Sequence, residues 1–345
     1  MIKNKLSYKY KLLIFIGIYV AFLILGSIIY GIYKNDYIKS ILLLMGINII
    51  LACSLNITTG YLGQLPLGHA GFMAIGAYTA GIILKAVNNG ANLQVLFPFI
   101  IIISGILAGF VGFLIGIPAL RLKGDYLAII TLGFGEIIRV VITNIDSVLS
   151  NIAGHKVNFT YGVQSLKEIP GVTNFLNTFI CVGIMLFLIH TLKRSKHGRA
   201  ILAIRDNEIA AKSCGINVTF YKTFGFVFSA FFAGVAGALY AGYFHILSPG
   251  TFSFNYSIEI LVMVVFGGIG SIPGSVVSAV VLTIIKQLTL DFSQYSMVVY
   301  ALILILFMVF NYAPFCAPAK KKLSDFILKI KSKILGIFTG KGAKA

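Results

Sequence analysis

VLFPFIIIISGILAGFVGFLIGI, residues 95–117, runs without a single charged side chain. As an α-helix rising about 1.5 Å per residue it is long enough to cross the roughly 30 Å hydrocarbon core of a bilayer. Runs of the same kind recur along almost the whole sequence. Hydrophobic residues make up 58% of the chain, charged residues only 11%, and the mean hydropathy is +0.95, which excludes an ordinary soluble domain. Strands of a membrane barrel are about half as long and alternate in polarity, so helices are the fitting element. The expected fold class is an all-α polytopic membrane protein.

The net charge of +18 raises nucleic acid as a partner, and the placement of the basic residues argues against it. Of the 28 basic residues, 21 sit in the N-terminal tail, at Arg121 and Lys123, between 193 and 222, and beyond Pro318. That clustering in tails and short loops is the mark of cytoplasmic segments. With residues 1–11 inside, candidate spans are 12–33, 40–58, 67–84, 95–117, 126–143 and 175–192, which return the chain to the cytoplasm at Lys193. After a polar island at 193–222 come 223–244, 258–270, 275–290 and 298–312, leaving the basic tail 313–345 inside as well. About ten crossings are expected, with both termini cytoplasmic and an external loop at 144–174. Residues 12–33 are too long for a signal core and lack a small-x-small cleavage site, so they count as a retained span. Beyond Lys322, isoleucines and lysines recur at helical spacing, the pattern of a helix lying on anionic lipid.

Two places break the helical pattern. Gly267, Gly268, Gly270, Pro273 and Gly274 interrupt the pair 258–290, for which a re-entrant pair is the alternative to two crossings. Residues 59–66, TGYLGQLP, do the same between the second and third spans. Broken helices at membrane depth are tolerated where the exposed backbone is buried in protein or lines a wet cavity.

Within the island, Asp206 is a candidate N-cap, Glu208 falls in the first turn, Ala210 and Ala211 are strong helix formers, and Lys212 precedes Gly215. Each charge suits the helix dipole and glycine suits a left-handed stop. A helix of two turns is marginal alone in water, which points to a docking surface, although an ordinary loop carries the same signals.

Glu208, Ala210, Ala211 and Gly215 resemble the EAA coupling loop of ABC importer permeases. The wider text, GRA at 198–200 and AIRDNEIAA at 203–211 followed by Gly215 and Ile216, is similar to the branched-chain amino acid permease family, in particular its LivM-type subunit. Three further blocks carry that resemblance: GYLGQLPLGHAGF at 60–72, PALRLKGDYLAIITLGFGEIIR at 118–139, and residues 264–274. Pro66 stands where the family often has serine, and the family's glycine-rich external loop is only faintly echoed at Ala153-Gly154 and 161–163. The resemblance implies a heteromeric importer of the cell inner membrane. Its parts would be a LivH-like second permease, two cytoplasmic ABC ATPases that hold ATP and magnesium, and an extracytoplasmic substrate-binding protein. Arg205, Asp206, Glu208, Ala210, Ala211 and Gly215 are then the expected ATPase-coupling residues. The cargo class it implies is branched-chain amino acids, with urea carried by permeases that share the same blocks. No G-x-x-x-x-G-K-[ST] loop is present in the sequence, in keeping with ATP bound on partners, and no cofactor is expected on this chain.

Glu136 and Arg139 are the acid and base set well inside an expected span, and their i, i+3 spacing puts them on one helix face. Intramembrane charges are expensive and face a bundle or a wet path, so a polar track and a mutually satisfied structural pair are both open. Thr131 and Thr143 offer hydroxyls near that face or bond back to their own helix. With Gly60, Tyr61, Gly63, Gln64 and His69 at the broken segment, Thr131, Glu136 and Arg139 make the candidate translocation path. The four cysteines have no metal-ligand spacing, and no metal or disulfide is expected. Gly105 with Gly109, Gly112 with Gly116, and Ala230, Gly234 and Ala238 repeat every fourth residue and mark close-packing faces. An ion-coupled secondary transporter should show two inverted halves, which are not evident. A membrane enzyme should show H-E-x-x-H or G-x-S-x-G, and neither occurs.

Overall fold

The structure is a computed structural model that describes residues 36–87, 92–122, 124–155 and 160–289, with isolated positions before 36 and after 289. The chain divides into two units, Met1–Ile284 and Ile285–Ala345, and nearly all described residues belong to the first. Among them the protein is all-α: α1 Asp36–Asn56, α2 His69–Val87, α3 Leu93–Ala119, α4 Asp125–Ala153, α5 Phe175–Arg194, α6 Lys196–Asp206, α7 Glu208–Ser213, α8 Val218–Tyr243, α9 Phe254–Gly267 and α10 Ile272–Thr289. Seven of these are long and apolar enough to cross a membrane, α1 being counted with the π-turn Ile57–Tyr61 that continues it; α9 is a shorter apolar helix. The protein is therefore a multi-pass membrane protein. Eight of the ten expected spans fall on described helices, while 12–33 and 298–312 lie almost wholly outside the described residues.

The largest departure is in α4. The helix continues ten residues beyond Thr143, so the external loop expected at 144–174 begins only after Ala153. Polar residues there fold back on their own helix: Asn144 Nδ2 donates to the Val140 carbonyl at 2.9 Å and Ser150 Oγ to that of Asp146 at 2.6 Å. Their polarity thus offers no competition to helix formation, and Gly154, left-handed at φ 68°, stops it. The remainder of the segment is pinned by an isolated antiparallel bridge between Leu166 and Leu247.

α8 is the centre of the packing, lying against α2 on one side and α3 on the other, and its glycines and alanines explain how. A Cβ at Gly234 would collide with that of Ala108 and lie 2.8 Å from the Ser104 carbonyl oxygen; one at Gly237 would lie 2.8 Å from the Ala77 nitrogen. On α3, Gly105 faces Phe231 and Val235, and Gly112 faces Ala230. The two small-residue stripes seen in the sequence therefore pack against each other. Polar ties complete the centre: Ser229 Oγ donates to the Ser54 carbonyl at 2.7 Å, and Ser54 Oγ lies 2.9 Å from His69 Nε2. By contrast, α3 turns Phe99, Ile102, Ile106, Phe110 and Leu114 outward, an apolar face suited to lipid.

Gly234→Ala is expected to destabilise the protein by about 1–3 kcal/mol, because the added methyl must separate two backbones. Gly133→Ala, with no described residue within 4 Å of the new Cβ, should be neutral or stabilising by about 0.5–1 kcal/mol. Thermal unfolding in detergent compares them, and equal melting temperatures for the two variants would contradict the close-packing account.

Candidate functional site

The polar island folds into two consecutive helices joined at Asn207. Ser195 caps α6 by accepting from the Gly198 N–H at 3.1 Å. α7 is capped by Asn207, in place of the expected Asp206: Asn207 is extended at φ −157° and its Oδ1 accepts from the Ala210 N–H at 3.0 Å. Asp206 ends α6 instead, its carboxylate drawn 2.8 Å from Nη2 of the neighbouring Arg205. At the other end, Ile216 N–H bonds the Ala211 carbonyl at 3.1 Å and Gly215 N–H that of Lys212 at 3.0 Å. This is a Schellman stop, and Gly215 at φ 77° is the residue that permits it.

α7 buries one side and shows the other. Ala211 is buried, whereas Ile209 is 77% exposed and Ala210 lies beside it. The helix is tied to α8 by Lys222, whose side chain is only 8% exposed and whose Nζ lies 2.8 Å from Glu208 Oε2. A buried ammonium needs an anion, and Glu208 supplies it. Lys222 stands outside any local spacing that would have linked it to Glu208 in the sequence.

Arg205 points the other way, into the membrane-spanning part. Its Nη1 donates to the Gly60 carbonyl at 3.0 Å, and a Cβ at Gly63, φ 68°, would lie 2.8 Å from the arginine stem. Gly60 belongs to the π-turn Ile57–Tyr61 at the foot of α1, where Leu62 N–H reaches back five residues to the Ile57 carbonyl at 3.1 Å. Beside it Lys193 Nζ sits 5.7 Å from the centroid of the buried Tyr61 ring.

The two breaks meet at this point. Asn56, fully buried, accepts from the Gly270 N–H at 2.7 Å and donates to Ser275 Oγ at 2.7 Å and the Ser271 carbonyl at 3.2 Å. Side chains from elsewhere satisfy backbone groups in the approach to α2 and in its first turn: Thr131 Oγ1 accepts from Leu67 N–H at 3.0 Å and Ser257 Oγ from Ala70 N–H at 3.1 Å. These freed N–H groups are thus paired within the protein. Thr131 also donates to the carbonyls of Leu127 and Ala128, the bond back to its own helix that was one of its two expected roles. His69 is a buried packing residue bonded to Ser54, and Gln64 keeps a buried Oε1 with no partner among the described residues.

Glu136 and Arg139 follow on α4, and Glu136 lines a small cavity together with Leu67, Ala70 and Ser257. Arg139 Nε is 2.7 Å from Glu136 Oε2, each side chain about one-third exposed. Glu136 Oε1 also accepts from Phe254 N–H at 3.2 Å, at the start of α9, whose own N-cap Ser253 offers no side-chain bond. The carboxylate is a cap supplied from 118 positions away, and it complements the α9 dipole. Glu136, Arg139, Thr143, Asp146 and Ser150 alternate at spacings of three and four, a polar seam along the least buried of the seven long helices.

Residues 37–308 match the model of the branched-chain amino acid transport system permease component family. The chain belongs to that family. It is 35% identical over 299 residues to the high-affinity branched-chain amino acid transport system permease protein LivM of Salmonella typhimurium, and 36% identical over 299 residues to LivM of Escherichia coli strain K12. Each alignment takes in 77% of this chain and 66% of the relative. The chain thus spans just under two thirds of those relatives' length. It is also 29% identical over 161 residues to the LivH permease protein of Escherichia coli strain K12, covering 46% of this chain and 50% of that one. No solved structure matches. The family match takes in all of α1 but its first residue and the whole of α2 to α10, so both breaks and the island lie within family territory.

Glu208→Gln should lower the melting temperature in detergent more than Asp206→Asn, because it strands the buried Lys222 cation. Adding Lys222→Met should recover most of the loss, a coupling of about 1–3 kcal/mol in a double-mutant cycle, below the figure for a fully buried pair because Glu208 is partly solvated. Additive losses would dissolve the pair's importance.

Proposed function

We propose that this chain is one transmembrane subunit of an ATP-driven ABC importer that carries leucine, isoleucine and valine across the cytoplasmic membrane. The observation that carries the proposal, beyond family membership, is α7. It is capped at both ends, tied inward through Glu208 and Lys222, and turns Ile209 outward. A six-residue helix held this firmly while presenting an apolar residue to its surroundings suits a partner that pushes on it. The partner in this reading is a cytoplasmic ATPase, one of two, which hold ATP and magnesium and supply the energy. Arg205, Asp206, Glu208, Ala210, Ala211 and Gly215 build the coupling element, and the positive charge of the island and both tails sets them on the cytoplasmic side.

The seam on α4 bears on the second permease and on the path. A Glu136–Arg139 pair about one-third exposed is costly against lipid, whereas water or another subunit satisfies it. Similarity to both LivM and LivH relatives supports a partner of the same family, LivH-like, facing that seam. The solute would then pass between the two subunits, received from an extracytoplasmic binding protein, and move past Glu136, Arg139 and Thr131 toward the segment holding Gly60, Tyr61, Gly63, Gln64 and His69.

The test is purification of the assembled complex, identification of its subunits, and measurement of which solutes stimulate its ATP hydrolysis. Leucine, isoleucine and valine should stimulate; urea in their place would change the cargo, and gradient-driven uptake by this chain alone in liposomes would overturn the importer altogether. Ile209→Asp should strip the ATPase from the purified complex while leaving the melting temperature of the isolated chain unchanged.

A further inference from the structure

Arg205 lies within the coupling element, yet its side chain faces away from the exposed surface of α7. Its guanidinium divides its donors between two directions. Nε and Nη2 hold Asp206 at 3.1 and 2.8 Å, while Nη1 holds the Gly60 carbonyl at 3.0 Å. That carbonyl belongs to the π-turn, whose neighbourhood is unusually tight. A Cβ on Gly60 would collide with Asn56 Oδ1 and with the backbone nitrogen of Gly270, and would lie 2.5 Å from the Gly270 Cα. Gly270, at φ 85°, sits in the turn between α9 and α10, where Gly268 is also left-handed at φ 86°. Asn56 bonds three groups of that turn and of α10's first residues.

The two interrupted membrane segments therefore touch backbone to backbone, and one side chain from the island is fastened at the point of contact. A bidentate, planar guanidinium transmits displacement between its two anchors better than a flexible ammonium, because its fork is rigid. Movement of α6 relative to the bundle has to stretch the Arg205–Gly60 bond or carry the π-turn with it. The adjoining Lys193 over Tyr61 gives the island a second grip on the same turn.

We propose that Arg205 is a positioning residue that couples displacement of the island to opening of an inner gate, formed where the π-turn meets the α9–α10 turn at Gly60 and Gly270. The proposal rests on the importer reading above for the source of the displacement. It adds the place where the motion enters the membrane and the residue that carries it.

The experiment uses the assembled complex reconstituted in liposomes with leucine as solute, comparing wild type with Arg205→Ala and Arg205→Lys. Solute moved per ATP hydrolysed should fall about tenfold in Arg205→Ala and by less in Arg205→Lys, with the KM for ATP unchanged. A residue that merely stabilises the fold would lower uptake and hydrolysis together and leave that ratio alone. If Arg205→Ala does not assemble, Arg205→Lys decides: an unchanged ratio overturns the proposal. In the isolated permease in detergent, Arg205→Lys should also raise amide hydrogen exchange at both 57–64 and 267–272; a rise confined to the first segment overturns the tie between them. Should the wild-type complex move no leucine or other solute, the importer reading fails, and the exchange measurement still decides whether Arg205 holds the two segments together.

Discussion

Everything in this bundle depends on how closely α8 can approach its neighbours. In a bilayer, lipid tails are as apolar as leucine, so burying apolar surface gives helices little reason to associate, and close van der Waals contact must supply it. Gly234 and Gly237 let α8 come against the backbones of α3 and α2, and Gly105 and Gly112 answer from the α3 side. With these helices locked at backbone distance, Ser229 of α8 and His69 of α2 are both brought to hydrogen-bond length of Ser54 on α1. α8 is also the helix that begins beside α7 and carries Lys222. The same rod that organises the membrane core thus anchors the polar element outside it.

Around that rod the chain twice abandons regular helix, and each time it brings the missing hydrogen bonds from far away. Asn56 serves the α9–α10 turn, Thr131 and Ser257 serve the approach to α2, and Glu136 serves the start of α9. These side chains interlock the broken segments with α1, α4 and α9, so neither break is an isolated hinge. An irregular backbone satisfied by several neighbours has few ways to relax alone, and its rearrangement is collective.

Much of this was legible in the sequence because it is written in local signals. Hydropathy and charge placed the spans and the island; the fourfold glycine and alanine spacing marked the α3 and α8 faces that do pack together. Gly215 was readable as a helix stop because a left-handed residue after an alanine-rich turn has one economical choice of side chain. The run to Ala153 was hidden because Asn144, Asp146 and Ser150 look like loop residues until their side chains are seen to be satisfied within or beside the helix. Asp206 and Asn207 are equivalent caps by propensity, and only the pull of Arg205 on the first separates them. The ties from Lys222 to Glu208, Asn56 to Gly270 and Arg205 to Gly60 have no local signature, since their partners are joined only by the fold.

The π-turn at Ile57–Tyr61 has a consequence of a different kind, for the length of the chain. It contains one residue more per turn than the helix above it, so everything that follows is rotated by about 100° relative to an uninterrupted helix. Deleting one residue there would let α1 run on as a regular helix and remove the widened turn that offers the Gly60 carbonyl to Arg205. Adding one would turn Leu62, Gly63 and the approach to His69 by about 100° toward another side of the bundle. This short interval is therefore a fixed phase in the molecule, where a change of one position in length does more harm than most changes of side chain.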